Sequence, residues 1–248
     1  MQLLGSLVFM LYFLLATLLW SVVVACMGLI PYARRFRAVT AWARSVMYVL
    51  RVTCGLSFEV EGADNFPGDT AVVIMQKHSS VWETIAGTIY CPAHTWVLKR
   101  ELMLIPVLGF ALLVMRVIPI NRKGRRTAIN QVIAKGTDRL RQGINVMIYP
   151  EGTRVQPGRN GRFGRSGSFL ATSAGVPVVP IAHNAGDFWA RHSLIKHRGR
   201  VKVVIGKPIA TSGRSAEEVN DEAVRWMDET MIRISDLHRP PSTLERSA

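Results

Sequence analysis

The chain has 248 residues, 49% of them apolar, and a formal net charge of +14. That length suits one soluble domain with a sizeable core. Its three cysteines, at 26, 54 and 91, have no metal or redox spacing and give no sign of a disulfide framework, and nothing in the chain points to a metal or other cofactor.

In chain order, the first expected element is apolar. Residues 1–33 hold no Lys, Arg, Asp, Glu or His. As a helix, 3–30 would be ~42 Å long, more than the ~30 Å hydrocarbon core of a bilayer. A cleaved signal peptide would carry a basic start and a shorter apolar run, so a retained membrane segment is expected. It either spans fully or pairs with 35–51 as a hairpin in one leaflet. Arginines 34, 35, 37, 44 and 51 follow with no acid before Phe58. By the positive-inside rule they place the rest of the chain on the cytoplasmic face of the inner membrane. A net charge of this sign often means nucleic acid. Here the apolar start makes an anionic lipid surface and phosphorylated substrates the expected partners, and no nucleic acid.

Val39, Trp42, Ala43, Val46, Met47 and Leu50 recur at helical spacing. This stripe either lies in the membrane interface or packs on the soluble core. Short β-branched runs then recur at 57–62, 71–75, 95–98, 117–120, 145–149, 176–181 and 201–206, several apolar throughout, as in strands buried on both faces. A helical pattern covers 124–141, and Ser215 with Glu218 forms a capping box before a last amphipathic helix. Strands alternating with helices imply an α/β single domain with a largely parallel mixed sheet, flanked by helices and preceded by the membrane helix or two-helix motif. The expected division is a membrane segment with its interfacial helix at 1–54, a catalytic domain at 55–238 and a loose tail at 239–248.

Two polar blocks follow apolar strands, where open α/β sheets bind ligands. The first is KHSSVWET, 77–84. Residues five apart on a regular helix lie ~140° apart, so His78 and Glu83 can meet only if His78 precedes the helix. The competing reading is structural: Ser80 and Glu83 also fit a capping box. The second block is YPEGTR, 149–154, where Arg154 offers a planar fork of donors to a phosphate. By itself it would read as a Pro-Gly turn with a surface ion pair.

Together the blocks resemble the 1-acylglycerol-3-phosphate acyltransferase family of glycerolipid acyltransferases. The matching motifs are His78 to Glu83 (a histidine, four residues, an acid), MRVIPINR ending at Arg122, YPEGTR complete, VPVVPIA at 176–182 and KRELMLIPVLG at 99–109. They run in family order from about residue 45 to 210. One departure is that the family's acid is usually aspartate. The resemblance implies acyl transfer from a thioester to a lipid hydroxyl. His78 would be the general base, and Glu83 would orient it as the acid does in a Ser-His-Asp triad. Arg154, Arg122, Lys99, Glu151, Gly152 and Thr153 would contact the substrate, Lys99 being equally readable as surface charge. Backbone N–H groups after His78 are candidate oxyanion donors.

The implied acceptor is lysophosphatidate, with glycerol 3-phosphate, another lysophospholipid or a lyso-ornithine lipid as alternatives. The implied donor is acyl-CoA or acyl carrier protein, met by the basic runs 116–126 and 154–165. Residues 102–115 would either wall an acyl groove or form a buried core helix. A membrane-bound thioesterase or esterase, and a basic lipid-binding scaffold, are the rival functions.

Overall fold

The computed structural model describes residues 2–121, 124–158 and 161–238. Arg122 and the tail 239–248 lie outside them. The helices are α1 (Gln2–Ala25), α2 (Tyr32–Cys54), α3 (Trp82–Tyr90), α4 (Leu108–Val114), α5 (Arg125–Arg141), α6 (Ser166–Ala174), α7 (Ala185–Phe188) and α8 (Ala216–Ile234). The strands are β1 (Leu56–Glu61), β2 (Val73–Gln76), β3 (His94–Lys99), β4 (Ile118–Ile120), β5 (Asn145–Ile148), β6 (Val178–His183) and β7 (Gly199–Ile205).

Among the described residues the strands form one sheet in the order β1-β7-β6-β2-β5-β3-β4. The five from β6 to β4 are parallel; β7 runs antiparallel to β6, and β1 is parallel to β7. Every residue of β2 and β6 is buried, because helices cover both faces. Ile74, Met147, Val179 and Ile181 point to the face covered by α2 and α3, while Val73, Met75, Val146 and Ile148 point to the face of α5, α6 and α8. The carboxyl ends of β2, β3, β4 and β5 therefore share one rim.

The stripe on α2 packs on the core: Ala43, Val46, Met47 and Leu50 are buried beside Trp82 and Ile85 of α3. Gly55, in the left-handed region, ends α2 by donating its N–H to the Arg51 carbonyl. The apolar α1 lies along α2 and the domain. A side chain at Gly5 would meet the Thr53 carbonyl at 2.1 Å, so only glycine permits that approach. Phe9 is buried edge-on against Trp189, and Ser6 Oγ accepts the Lys196 N–H at 2.9 Å. The opposite side of α1, including Leu4, Leu7, Leu11, Leu14 and Leu18, is exposed and, beyond Gln2, apolar.

Arg35 does not reach outward. Its guanidinium donates to the carbonyls of Ile30, Gly28 and Val114, at 2.5, 2.6 and 2.7 Å, fastening the α1–α2 turn to the end of α4. Arg35→Ala is expected to cost about 1.5–3 kcal/mol, since hydrogen bonds from a charged donor are worth about that much. Arg35→Lys should recover only part, because an ammonium lacks the fork. Thermal unfolding in detergent measures both.

Tyr32 on α2 donates to the His94 carbonyl at 2.7 Å, and the buried His94 ring is hydrogen-bonded to the Pro92 carbonyl. Burial lowers the His94 pKa to about 4. An unfolded histidine titrates near ~6.5, so below that pH the unfolded chain takes up the proton first and the fold loses stability. Between pH 7 and 5 this one group should cost about 2 kcal/mol. The slope should flatten in His94→Asn, read as thermal midpoint against pH.

Candidate active site

The rim where β2 and β5 end brings the two polar blocks together. His78 sits in the turn before α3, which starts at Trp82, so the angular objection to a pair five residues apart does not arise. His78 Nδ1 lies 2.8 Å from Glu83 Oε1. The same oxygen accepts the backbone N–H groups of Ser79 and Ser80, each at 2.9 Å. One carboxylate oxygen thus meets both the histidine and the start of the helix. The capping box is only half formed: Ser80 Oγ accepts from Trp82 N at 3.2 Å, not from Glu83 N, and donates to the Trp189 carbonyl at 2.5 Å.

Glu83 is fully buried. Burial pushes its carboxyl up, but the hydrogen bonds from the His78 ring and the Ser80 N–H outweigh it and hold the group below the usual carboxylate range. It is therefore a carboxylate at neutral pH. With Nδ1–H donating to it, His78 keeps Nε2 for an incoming group. The His78 ring is stacked on Tyr149, the first residue of the second block, with centroids 4.3 Å apart.

Glu151 joins the blocks. One carboxylate oxygen pairs with Lys77 Nζ at 3.0 Å, and the other accepts the His78 backbone N–H at 3.1 Å. The backbone closes the loop, with Val155 N–H donating to the His78 carbonyl at 2.8 Å. Both ends of the Lys77–Glu151 pair are buried. Of the N–H groups after His78, expected as oxyanion donors, those of Ser79 and Ser80 are spent on Glu83, and His78's own is spent on Glu151.

The other expected site residues are arranged around this centre. Gly152 takes φ +65, which lets the Pro-Gly turn close. Thr153 is exposed, and Arg154 is half-buried with its Nε unpaired among the described residues. Lys99 is exposed at the end of β3 on the same rim. A cleft of about 840 Å³ opens beside Tyr149, Glu151 and Gly152; its apolar walls include Ile120, Ile129, Val132 and Phe169, and Arg162 and Arg165 also line it.

Sequence reasoning missed His183. It is fully buried at the end of β6, and its Nε2 lies 2.8 Å from the Lys77 carbonyl and 3.9 Å from Glu83 Oε2. Burial pushes its pKa down, keeping the ring neutral with Nε2–H donating and Nδ1 accepting from Ala185 N. It braces the backbone directly before His78. The contact spans 106 positions, and the sequence signal was only a histidine after VPVVPIA.

Comparison with known proteins identifies the family and the fold. A family model described as Acyltransferase matches residues 57–184. The 1-acyl-sn-glycerol-3-phosphate acyltransferase of Pseudomonas aeruginosa is 39% identical over 223 residues, covering 88% of this chain and 86% of that protein. The human 1-acyl-sn-glycerol-3-phosphate acyltransferase beta is 30% identical, over 73% of this chain and 67% of its own length. The crystal structure of the 1-acyl-sn-glycerophosphate acyltransferase PlsC from Thermotoga maritima has the same fold, with a TM-score of 0.80 at 19% identity, covering 97% of this chain and 98% of that one.

The matched domain makes this protein an acyltransferase, an enzyme that moves acyl groups. The chain belongs to the family of the 1-acyl-sn-glycerol-3-phosphate acyltransferases.

Proposed function

We propose that the protein acylates lysophosphatidate to phosphatidate, with His78 as general base. The observation that carries this reading is the 2.8 Å bond from His78 Nδ1 to a buried carboxylate, which leaves Nε2 as the basic atom. Nε2 takes the proton of the acceptor hydroxyl as its oxygen attacks the thioester carbonyl. The tetrahedral intermediate collapses, the C–S bond breaks, and the proton on Nε2 passes to the leaving thiolate. Glu83 holds the ring in one tautomer and stabilises the imidazolium formed on the way. No enzyme nucleophile is needed, because the substrate supplies the oxygen.

Arg154 is the cation that YPEGTR offers to the acceptor phosphate, with Lys99 and Arg122 as further candidates. The apolar cleft beside Tyr149 suits an acyl chain, and its arginines suit the anionic part of a coenzyme A or carrier-protein donor. The exposed apolar face of α1 supports a seat in the cytoplasmic leaflet of the inner membrane. Because α1 packs along the domain over its length, a hairpin in one leaflet is favoured over a full span.

The test is incubation with lysophosphatidate and a labelled acyl thioester. Labelled phosphatidate is the expected product; labelled free fatty acid alone would make the protein a thioesterase. Glycerol 3-phosphate as a competing acceptor sorts the relatives. Arg154→Ala should raise KM for lysophosphatidate by about tenfold or more, the worth of one charged hydrogen bond. It should leave KM for the thioester near wild type.

A further inference from the structure

Residues 102–115 neither wall the cleft nor form a buried core helix. They make a 3-10 turn (Arg100–Leu104) followed by α4, and much of their apolar surface faces outward. Leu104 is 81% exposed, and Phe110 and Leu113 are each 60% exposed. Leu102, Ile105 and Val107 are also exposed, so the tip presents an outward apolar surface, while Ala111, Val114 and Met115 face inward against Phe36 and Val24.

The tip turns sharply. Val107 has φ +63 and ψ −55, and Leu108 N–H donates to the Pro106 carbonyl at 2.7 Å, which is a classic γ-turn. A β-branched residue rarely adopts that strained conformation. Here it turns an apolar side chain outward.

We infer that this tip is a second membrane-insertion element, separate from α1, which sinks into the same leaflet. This deepens the membrane seat proposed above and rests on it. Two observations choose a lipid leaflet as the occupant. First, the tip adjoins the apolar hairpin: Val24 of α1 packs on the inner side of α4, and Arg35 ties the hairpin turn to the Val114 carbonyl. Second, exposed Arg34 and Arg37 on α2 and Lys99 before the tip supply cations for anionic headgroups at its base. Because β3 runs directly into the tip, its insertion would hold the strand-end rim at the headgroup level, where a lysolipid's hydroxyl and phosphate lie.

The test uses the full chain with Cys26→Ser, since Cys54 and Cys91 are buried. An environment-sensitive fluorophore is placed at Leu11→Cys on α1 or at Phe110→Cys on the tip. Vesicles of phosphatidylcholine with one fifth phosphatidylglycerol are then added. Both labels should shift to shorter wavelength and be quenched by nitroxide-labelled lipid. If the Leu11 label inserts while the Phe110 label stays water-like, the proposal is overturned. Water-like emission from both overturns it together with the membrane seat, and a Phe110 label already shielded before vesicles are added assigns the tip to a second copy of the chain.

Leu104→Ser with Phe110→Ser should lower vesicle affinity by about tenfold or more, while turnover in detergent micelles stays within about twofold. Equal loss in micelles would return these residues to an acyl groove. The label readout needs no turnover, so a failure of the proposed reaction is distinguishable from a failure of this inference.

Discussion

Replacing His78 by alanine is expected to lower the rate of acyl transfer by about 10²–10⁴, the usual contribution of a positioned general base. The loss should appear in kcat with little change in KM for either substrate, because the ring serves the reaction and not ground-state binding. Glu83→Gln is the sharper companion. A glutamine Oε1 can still accept from His78 and from the Ser79 and Ser80 N–H groups, so the turn and its geometry should persist. Only the negative charge opposite the imidazolium is lost. A fall of about 10²–10³-fold would measure that charge, the range found on removing one such preorganised electrostatic group. A fully active Glu83→Gln variant would show that the carboxylate acts as a helix cap and nothing more. Unchanged turnover in His78→Ala would sink the mechanism outright.

Glu151→Ala is expected to destabilise the fold by about 3–5 kcal/mol, the cost of leaving one member of a buried ion pair alone. Lys77 would lose its counter-charge, and the His78 N–H would lose its acceptor. Combining Lys77→Met with Glu151→Gln removes the charge pair but keeps an acceptor for His78. That double variant should recover most of the stability, as replaced buried pairs often do. Thermal unfolding in detergent decides the matter. If Glu151→Ala unfolds like wild type and instead raises KM for the acceptor, Glu151 meets the substrate and not the Lys77 ammonium.

Much of the fold was legible because its signals are local. All seven apolar runs correspond to strands, and the last helix opens on Ser215 and Glu218 with both halves of its capping box formed. The pairing of His78 with Glu83 could be posed from spacing, but not decided. Its resolution lies in where the helix begins, and a shift of three residues there reverses the answer. Arg35 looked like one more headgroup cation; its partners are backbone carbonyls, which leave no mark in sequence. Lys77 and Glu151 are 74 positions apart, and each alone reads as a surface charge. Residues 102–115 left two readings open in sequence for a related reason. Apolar content says that a segment avoids water, and it does not say whether protein or lipid replaces the water.

The contact between α1 and the domain bears on how this enzyme can be handled. Trp189 holds Phe9 edge-on with its ring, while its carbonyl takes the Ser80 hydroxyl beside the candidate base. Lys196 is fully buried, with its ammonium 5.6 Å from the Phe9 ring centre and 5.0 Å from that of Trp189. Deleting the first helix would therefore do more than free the domain from lipid. It would strip the cover from a buried cation and empty the socket behind the active turn. The greasy helix is a structural plug as well as a tether, so trimming it is a poor route to a soluble, working enzyme.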